Sequence, residues 1–452
     1  MNEKKTTYMF AGVALGLLLL ALITTPSRIT PDAFIDQGEA FYPEFTDPNE
    51  ATSLEVIRWD EETGEAIPFK VVFADGRWSI PSHNSYPADG ADRLSKTAAG
   101  AIGIVKDDYR SDNTSDWEAC GVVDPLDESA TSLVGRGERV TIRGANDKVL
   151  ADYILGNKIE GREGFRFLRI PDQKRIYAVR TDFDVSTKFS DWIEADLLQV
   201  PGPDDIDMVT IKDYRVNERQ GRINERDEIT LAREGAAWKM NRMPRSKETN
   251  TTKITELMKA IDELSIVGVR PKPKGLSASL KRSSNDTGME MSDLMSLQSK
   301  GYYLVEGSGL FSNEGEVQVG TKTGILYTLR FGEVAYGSGL EVSAGGGEAN
   351  TSGPAENRYL FVTTSFQEDR FKEPRKPANT DFVGKADSLF TDSDRANQAL
   401  QLAYDTWQKQ VDDGRKLADD LNDRFANWYY VISDESFKKV KLNRVDLVKD
   451  KS

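Results

Sequence analysis

The stretch "ADGRWSIPSH" at residues 74–83 closes a run of alternating apolar and polar residues with a tight turn and a tryptophan, and "REGAAWKMNRMP" at 233–244 repeats the pattern, with Trp238 falling 160 residues after Trp78. Around the first stretch, "SLEVIRWD", the polar turn "EETGEA" and "IPFKVVFADGRWSIP" predict a β-meander. Phe69, Val71 and Phe73 share one face, and Asp75-Gly76 supplies the hairpin turn. Leu94, Ala98, Ala101, Ile102 and Val105 then recur at helical spacing, so a short amphipathic helix is expected on the sheet. "KDDYRSDNTSDWEACGVVDPLDESAT" reads as a polar loop, and "GERVTIRGANDKVLADYILG" and "FRFLRIPDQKRIYAVR" as two more hairpins. "DVSTKFSDWIEADLL" predicts a closing helix with Phe189, Trp192, Ile193 and Leu197 along one stripe.

The second half runs through the same order. "DMVTIKDYRVNERQGRINERDEITLAREGAAWKM" repeats the meander, "KITELMKAIDEL" supplies the helix, and "EGEVQVGTKTGILYTLRFG" and "ENRYLFVTTSF" mirror the hairpin strands. Gly156 and Gly332 fall in equivalent places 176 residues apart. The offset grows because the connections lengthen, mainly across "RPKPKGLSASLKRSSNDTGMEMSDLMS". A duplicated strand-helix-strand order predicts two tandem copies of one α+β unit, mainly antiparallel, at 53–200 and 205–370. Trp78 and Trp238 are then expected as core residues beneath their helices.

At the N-terminus, "YMFAGVALGLLLLALIT" carries no charge, and with its flanking threonines it is long enough for a transmembrane helix, giving an anchor at 1–25. Lys4 and Lys5 precede it and only Arg28 closely follows, which predicts a cytoplasmic N-terminus and a body exported across the cytoplasmic membrane. The following "TTPSRITPDAF" offers no small-x-small cleavage site, so an uncleaved signal anchor is preferred to a cleaved signal peptide. Residues 26–52, with four prolines and no period, read as an extended stalk. At the other end, 371–391 is a charged linker and 392–426 a long amphipathic helix. Leu400, Tyr404, Trp407, Val411, Ala418, Leu421 and Phe425 share its stripe, and Gly414 is its weak place. "NWYYVISDESFKKVKL" within 427–452 predicts a terminal hairpin completing the second copy, which makes the helix an insertion between paired strands.

Composition narrows function more than motifs do. Asp and Glu number 74 against 59 Lys and Arg, and the net charge of -15 repels phosphate backbones, so nucleic acid is not an expected partner. The single cysteine, Cys120, cannot form an internal disulfide, and one histidine and one cysteine exclude a thiolate or multi-histidine zinc site within the chain. His83, in the turn-rich "IPSHNSYPADG", must carry any histidine-based catalysis, and a loop-stabilising role is the simpler reading. Asp107, Asp108, Asp112 and Asp116 lack the glycine and terminal glutamate of a calcium loop, and read as a solvated cluster. "GEVQVGTKT" at 315–323 alternates as a strand and does not lead into a helix, so it is no phosphate loop; "YGSGLEVSAGGGEANTSGPAEN" at 336–357 reads as a long hairpin connection. No catalytic residues, metal or cofactors are expected; the stripe of the long helix packs either on the chain's own body, the simpler reading, or on a partner, for which Tyr404, Trp407 and Val411 are the candidate surface.

The set "GRWSIPS", "ACGVVDPL", "GERVTI", "FRFLRIP", "RIYAV" and "FANWYYVIS" resembles the bacterial domain-of-unknown-function 4340 family over most of the chain after Ser53. The resemblance implies an N-terminal membrane anchor, repeated α+β units and association with gliding-type ABC transporter components; it assigns no catalytic residues. The expected function is therefore a non-enzymatic envelope protein, an accessory or scaffold of a membrane transport complex. The competing class is an extracytoplasmic hydrolase or glycan-acting enzyme, which needs two facing carboxylates about 5–10 Å apart in a pocket.

Overall fold

A computed structural model describes residues 3–24, 36–61, 63–130, 132–181, 185–194, 197–217, 222–281, 290–305, 309–336 and 356–451. It is α+β, built on antiparallel sheets. The first sheet contains β1 (Ser53–Asp60), β2 (Glu65–Ala74), β3 (Arg77–Ile80), β4 (Tyr86–Pro87), β5 (Asp108–Ser111), β6 (Glu138–Arg143), β7 (Val149–Lys158), β8 (Phe165–Arg169) and β9 (Ile176–Arg180). The second takes β10 (Ile206–Asn217), β11 (Arg222–Glu234), β12 (Ala237–Met240), β14 (Gly268–Pro271), β17 (Glu316–Thr321), β18 (Ile325–Tyr336), β19 (Glu356–Phe366) and β20 (Trp428–Ser433). Two small ribbons pair β13 (Lys247–Thr249) with β21 (Val448–Asp450), and β15 (Tyr302–Val305) with β16 (Gly309–Ser312).

The strand orders are β4-β3-β2-β1-β6-β7-β8-β9-β5 and β12-β11-β10-β17-β18-β19-β20-β14. With β4 set aside, the two lists correspond position by position. Register corresponds too. Phe73 pairs with Trp78 as Arg233 pairs with Trp238, and Leu168 pairs with Tyr177 as Leu360 pairs with Tyr430. Tyr109 faces Tyr177 as Val269 faces Tyr430. The ladder β7–β8 slips between Leu155 and Lys158, and β18–β19 slips between Phe331 and Val334, each 176 residues later. Gly156 and Gly332 sit inside these bulges. A Cβ on Gly156 would collide with the Cys120 carbonyl and Val122, and one on Gly332 with the Lys300 carbonyl and Tyr302, so at both places a backbone carbonyl presses on a strand that only glycine leaves open.

Eight helices accompany the strands among the described residues: α1 (Glu3–Thr24), α2 (Ala91–Ile102), α3 (Trp117–Cys120), α4 (Thr251–Asp262), α5 (Lys274–Lys281), α6 (Met291–Gln298), α7 (Asp392–Ala426) and α8 (Asp434–Val440). α2 and α4 occupy the predicted places and bury Leu94, Ala98 and Ala101, and Ile254, Leu257, Met258 and Ile261. Close contacts divide the chain into two compact units. One comprises Met1–Ala51, Ile57–Ala66 and Ser95–Asp184, with Cys120, Val122, Ile154 and Ile176 in its core. The other comprises Thr52–Val56, Ile67–Leu94 and Val185–Ser452, where Leu276, Leu297, Tyr302, Phe361 and Tyr429 cluster.

Several local expectations give way to packing. Among the described residues no helix is long and apolar enough to cross a membrane. The described side chains of α1, Tyr8–Leu18 and Leu20, are all exposed. The described end of the expected stalk, residues 36–52, is no extended spacer. Phe41 packs edge-on to Tyr177, Tyr42 Oη donates to the Asp152 carbonyl at 2.7 Å, and Phe45 is buried, because three aromatics gain more from apolar cover than from water. The closing helix of the first copy is a single 3-10 turn, Phe189–Trp192. Ser186 there accepts the Trp192 indole N–H on its carbonyl, caps the Lys188 N–H with its hydroxyl and donates to Asp191, taking up groups a longer helix would have used. The polar loop contains the edge strand β5 and helix α3. Trp78 and Trp238 are half-buried, and Ile80 and Met240 fill the core places two residues on, away from the turn. The terminal hairpin is strand β20 followed by helix α8, capped by the Ser433 hydroxyl on the Ser436 N–H. The long connection falls at 337–355, outside the described residues.

Candidate functional site

α7 runs 35 residues from the cap Thr391, whose hydroxyl and backbone N–H exchange bonds with Asp394. The Thr391 backbone N–H, then Lys385, hold the Asp394 carboxyl down to about 2. Its strands of origin, β19 and β20, pair directly (Leu360 with Tyr430), so the helix is an insertion between neighbours in the sheet. The apolar stripe closes on the chain itself. Val411, Ala418, Leu421 and Phe425 are buried. Asn422 accepts from the Thr364 N–H and donates to the Thr364 carbonyl, both at 2.8 Å, and the Thr364 hydroxyl reaches the Ala418 carbonyl. Gly414 lies flat on the Phe366 ring.

Of the three candidate partner residues, Val411 is buried in the fold, as the body-packing reading has it. Trp407 is half-buried and spends its indole N–H on the Phe371 carbonyl at 3.0 Å. Tyr404 is half-buried beside it, rings 5.4 Å apart, with the Lys376 ammonium over its face. The 371–391 segment thereby covers the upper stripe, and the candidate surface reduces to the outer edges of Tyr404 and Trp407.

His83 ends the turn Pro81–His83 and is 7% exposed. Its ring stacks on Phe189 at 4.7 Å and meets Phe69 edge-on at 5.7 Å, with Ser82 Oγ 3.1 Å from Nδ1. Asn84 follows at φ 58 and donates to the Val269 carbonyl. The imidazole therefore serves as a ring among Phe69, Tyr86, Phe189 and Trp192.

The aspartates of 107–116 turn to separate partners. Asp108 meets Arg162, Asp112 takes Arg175 through two nitrogens, Asp116 accepts from Ser111, and Asp107 accepts the Arg180 N–H. Among the described residues no group of His, Cys, Asp and Glu is placed to hold a metal. Three surface pockets carry one carboxylate each: Glu163, Glu44 and Asp413.

Two buried cations were not anticipated. Arg169, 1% exposed, lies 3.9 Å over Trp117 and is held by the carbonyls of Val122, Pro171 and Gln173. Lys272 donates from Nζ to the Phe425 carbonyl at 3.0 Å and faces the Phe361 ring at 3.7 Å; burial pushes its ammonium well below the ordinary lysine range. Neither is marked by sequence: "RPKPKG" reads as a charged loop.

Against known proteins, the model of a family described as a domain of unknown function, DUF4340, matches residues 78–279, less than half of the chain. No curated protein and no solved structure matches. The match supports the family over that span and brings no activity with it.

Proposed function

We propose that this chain is a non-enzymatic scaffold, tethered to the cytoplasmic membrane by α1 as a single-pass anchor, with its body on the extracytoplasmic side as an accessory of an ABC-type transport complex. One observation carries the reading. Every described side chain of α1 is exposed, and Tyr8, Met9, Phe10, Val13, Leu15, Leu17, Leu18 and Leu20 present a run of bare apolar surface that requires an apolar partner. The uncharged sequence from Tyr8 to Thr24 and the lysines before it support lipid as that partner. The shared strand order, register and bulges support a single module copied in tandem, a plan that offers two related binding faces.

The test is crosslinking in native membranes followed by purification of the tagged chain. Recovery of transporter permease or ATPase subunits is expected. Their consistent absence alongside glycan binding would favour the competing enzyme class.

A further inference from the structure

In the second sheet the bulge at Gly332 is covered by the chain itself. Arg358, the ladder partner of Val334, donates from Nη1 to the Gly332 carbonyl at 3.1 Å. Phe437 of α8 lies 4.3 Å from its guanidinium and 5.0 Å from the Phe331 ring. α8 begins with Asp434 and Glu435 in its first turn.

The first sheet keeps the bulge and the arginine: Arg166 Nε donates to the Gly156 carbonyl at 2.9 Å. The place of Val334, however, is taken by Lys158, the Cα partner of Arg166. Two cations directly opposite on one face of a ladder repel. The carboxylate 4.0 Å from Arg166 is Glu138, already engaged by Arg58 at 2.8 Å, and Lys158 forms no ion pair among the described residues. Beside them opens a pocket of about 700 Å³, whose lining also includes Arg162, Glu163, Phe165 and Thr181. Of the three cations lining it beside Glu163, Arg162 is paired with Asp108 and Arg166 shares Glu138 with Arg58, which leaves Lys158 as the lining cation without an ion pair among the described residues, in a chain of net charge -15. The volume suits side chains of one helical turn.

We propose that this pocket binds an acidic, aromatic-bearing segment of a partner protein, which occupies at the first bulge the place that α8 occupies at the second. The segment's carboxylates neutralise Lys158 and Arg166, and its ring packs on the Arg166 guanidinium as Phe437 does on Arg358. This deepens the scaffold reading by naming a binding face, yet peptide capture in solution does not depend on membrane attachment, so either can fail alone.

The probe is a fluorescein-labelled peptide, acetyl-SDESFDDL-amide, titrated by fluorescence anisotropy into the full chain in detergent at low ionic strength. Saturable binding is expected, weakened about tenfold or more by Lys158→Glu, the effect of roughly 1.4 kcal/mol, and weakened less by Lys158→Ala. Because Lys158→Glu turns a repulsive cross-strand pair into an attractive one, its melting temperature should rise, which separates lost binding from lost folding. Equal binding by the Phe→Ser peptide, indifference to both Lys158 variants, or capture of inorganic pyrophosphate without capture of the peptide would each overturn the proposal, the last in favour of a small anion.

Discussion

Replacing Gly414 with alanine sets two opposing effects against each other, and the structure decides which wins. Gly414 lies in the interior of α7, where helix propensity alone makes alanine better by about 1 kcal/mol. A Cβ there, however, would stand only 2.6 and 2.7 Å from Cδ2 and Cζ of Phe366, where carbon contacts prefer about 3.5–4.0 Å. The ring has nowhere to go. It stacks on Phe371 at 5.6 Å with planes 9° apart, and Phe371 in turn closes over Gly324. Overpacking of this kind costs about 1–3 kcal/mol, so after the propensity gain Gly414→Ala should destabilise by up to about 2 kcal/mol net. Urea unfolding followed by circular dichroism reads the shift as a lower midpoint at unchanged slope. In a Phe366→Leu background the clash is relieved and the same substitution should stabilise. Stabilisation by Gly414→Ala in both backgrounds would refute the docking of α7 on β19.

Three further outcomes follow from buried groups. Burial holds the folded Lys272 below its unfolded value of about 10.4, so in the window between the two, unfolding takes up a proton and stability rises with pH by up to about 1.4 kcal/mol per pH unit; Lys272→Met should remove that slope in urea titrations at stepped pH, and an unchanged slope would mean that Phe361 and Tyr429 keep the ammonium charged. Trp192, fully buried with its indole N–H on the Ser186 carbonyl, should cost about 3–5 kcal/mol when replaced by alanine, read by calorimetry; a loss under about 1 kcal/mol would remove it from the core. The Cys120 thiol is buried and pushed up by desolvation, so its reaction with a disulfide reagent should follow unfolding and accelerate in denaturant, whereas rapid labelling of the native chain would contradict its place beside Val122 and Ile154.

The hairpin strands were legible because alternation and turn residues are local signals, whereas the order across each sheet, with β5 at an edge, was not. Phe69 and Val71 face the core as their spacing predicts, and Asp75-Gly76 and Gly235 make the turns that bring Trp78 and Trp238 into matching register. The bulges were half-legible, since Gly156 and Gly332 stood out at a constant offset, while the carbonyls pressing on them come from distant chain. What failed were inferences of extent. The stripe through Phe189 and Trp192 has helical spacing but ends in one turn because Ser186 diverts the backbone. Phe437, Val440 and Leu442 after Ser433 read as a returning strand, but the Ser433 cap starts a helix among mostly charged residues. Trp78 and Trp238 are large and apolar, yet they sit beside the turns, where cover ends.

The candidate site was less legible than the fold. An apolar helix stripe reads the same whether it meets its own sheet or a partner, so Val411 could not be told from a docking residue before Thr364 and Asn422 were seen to tie the helix down. His83 gave no sign of the aromatic stack that absorbs it. Lys158 and Arg166 lie eight residues apart in an ordinary charged hairpin; only the ladder sets them face to face.

The claim on which the functional account rests is the tether, and membrane fractionation tests it most directly. The full chain should remain in the pellet after alkaline carbonate, be cut by protease added outside spheroplasts, and pass into the soluble fraction when residues 3–24 are deleted. A full-length product released by carbonate, or protected from external protease, would contradict it.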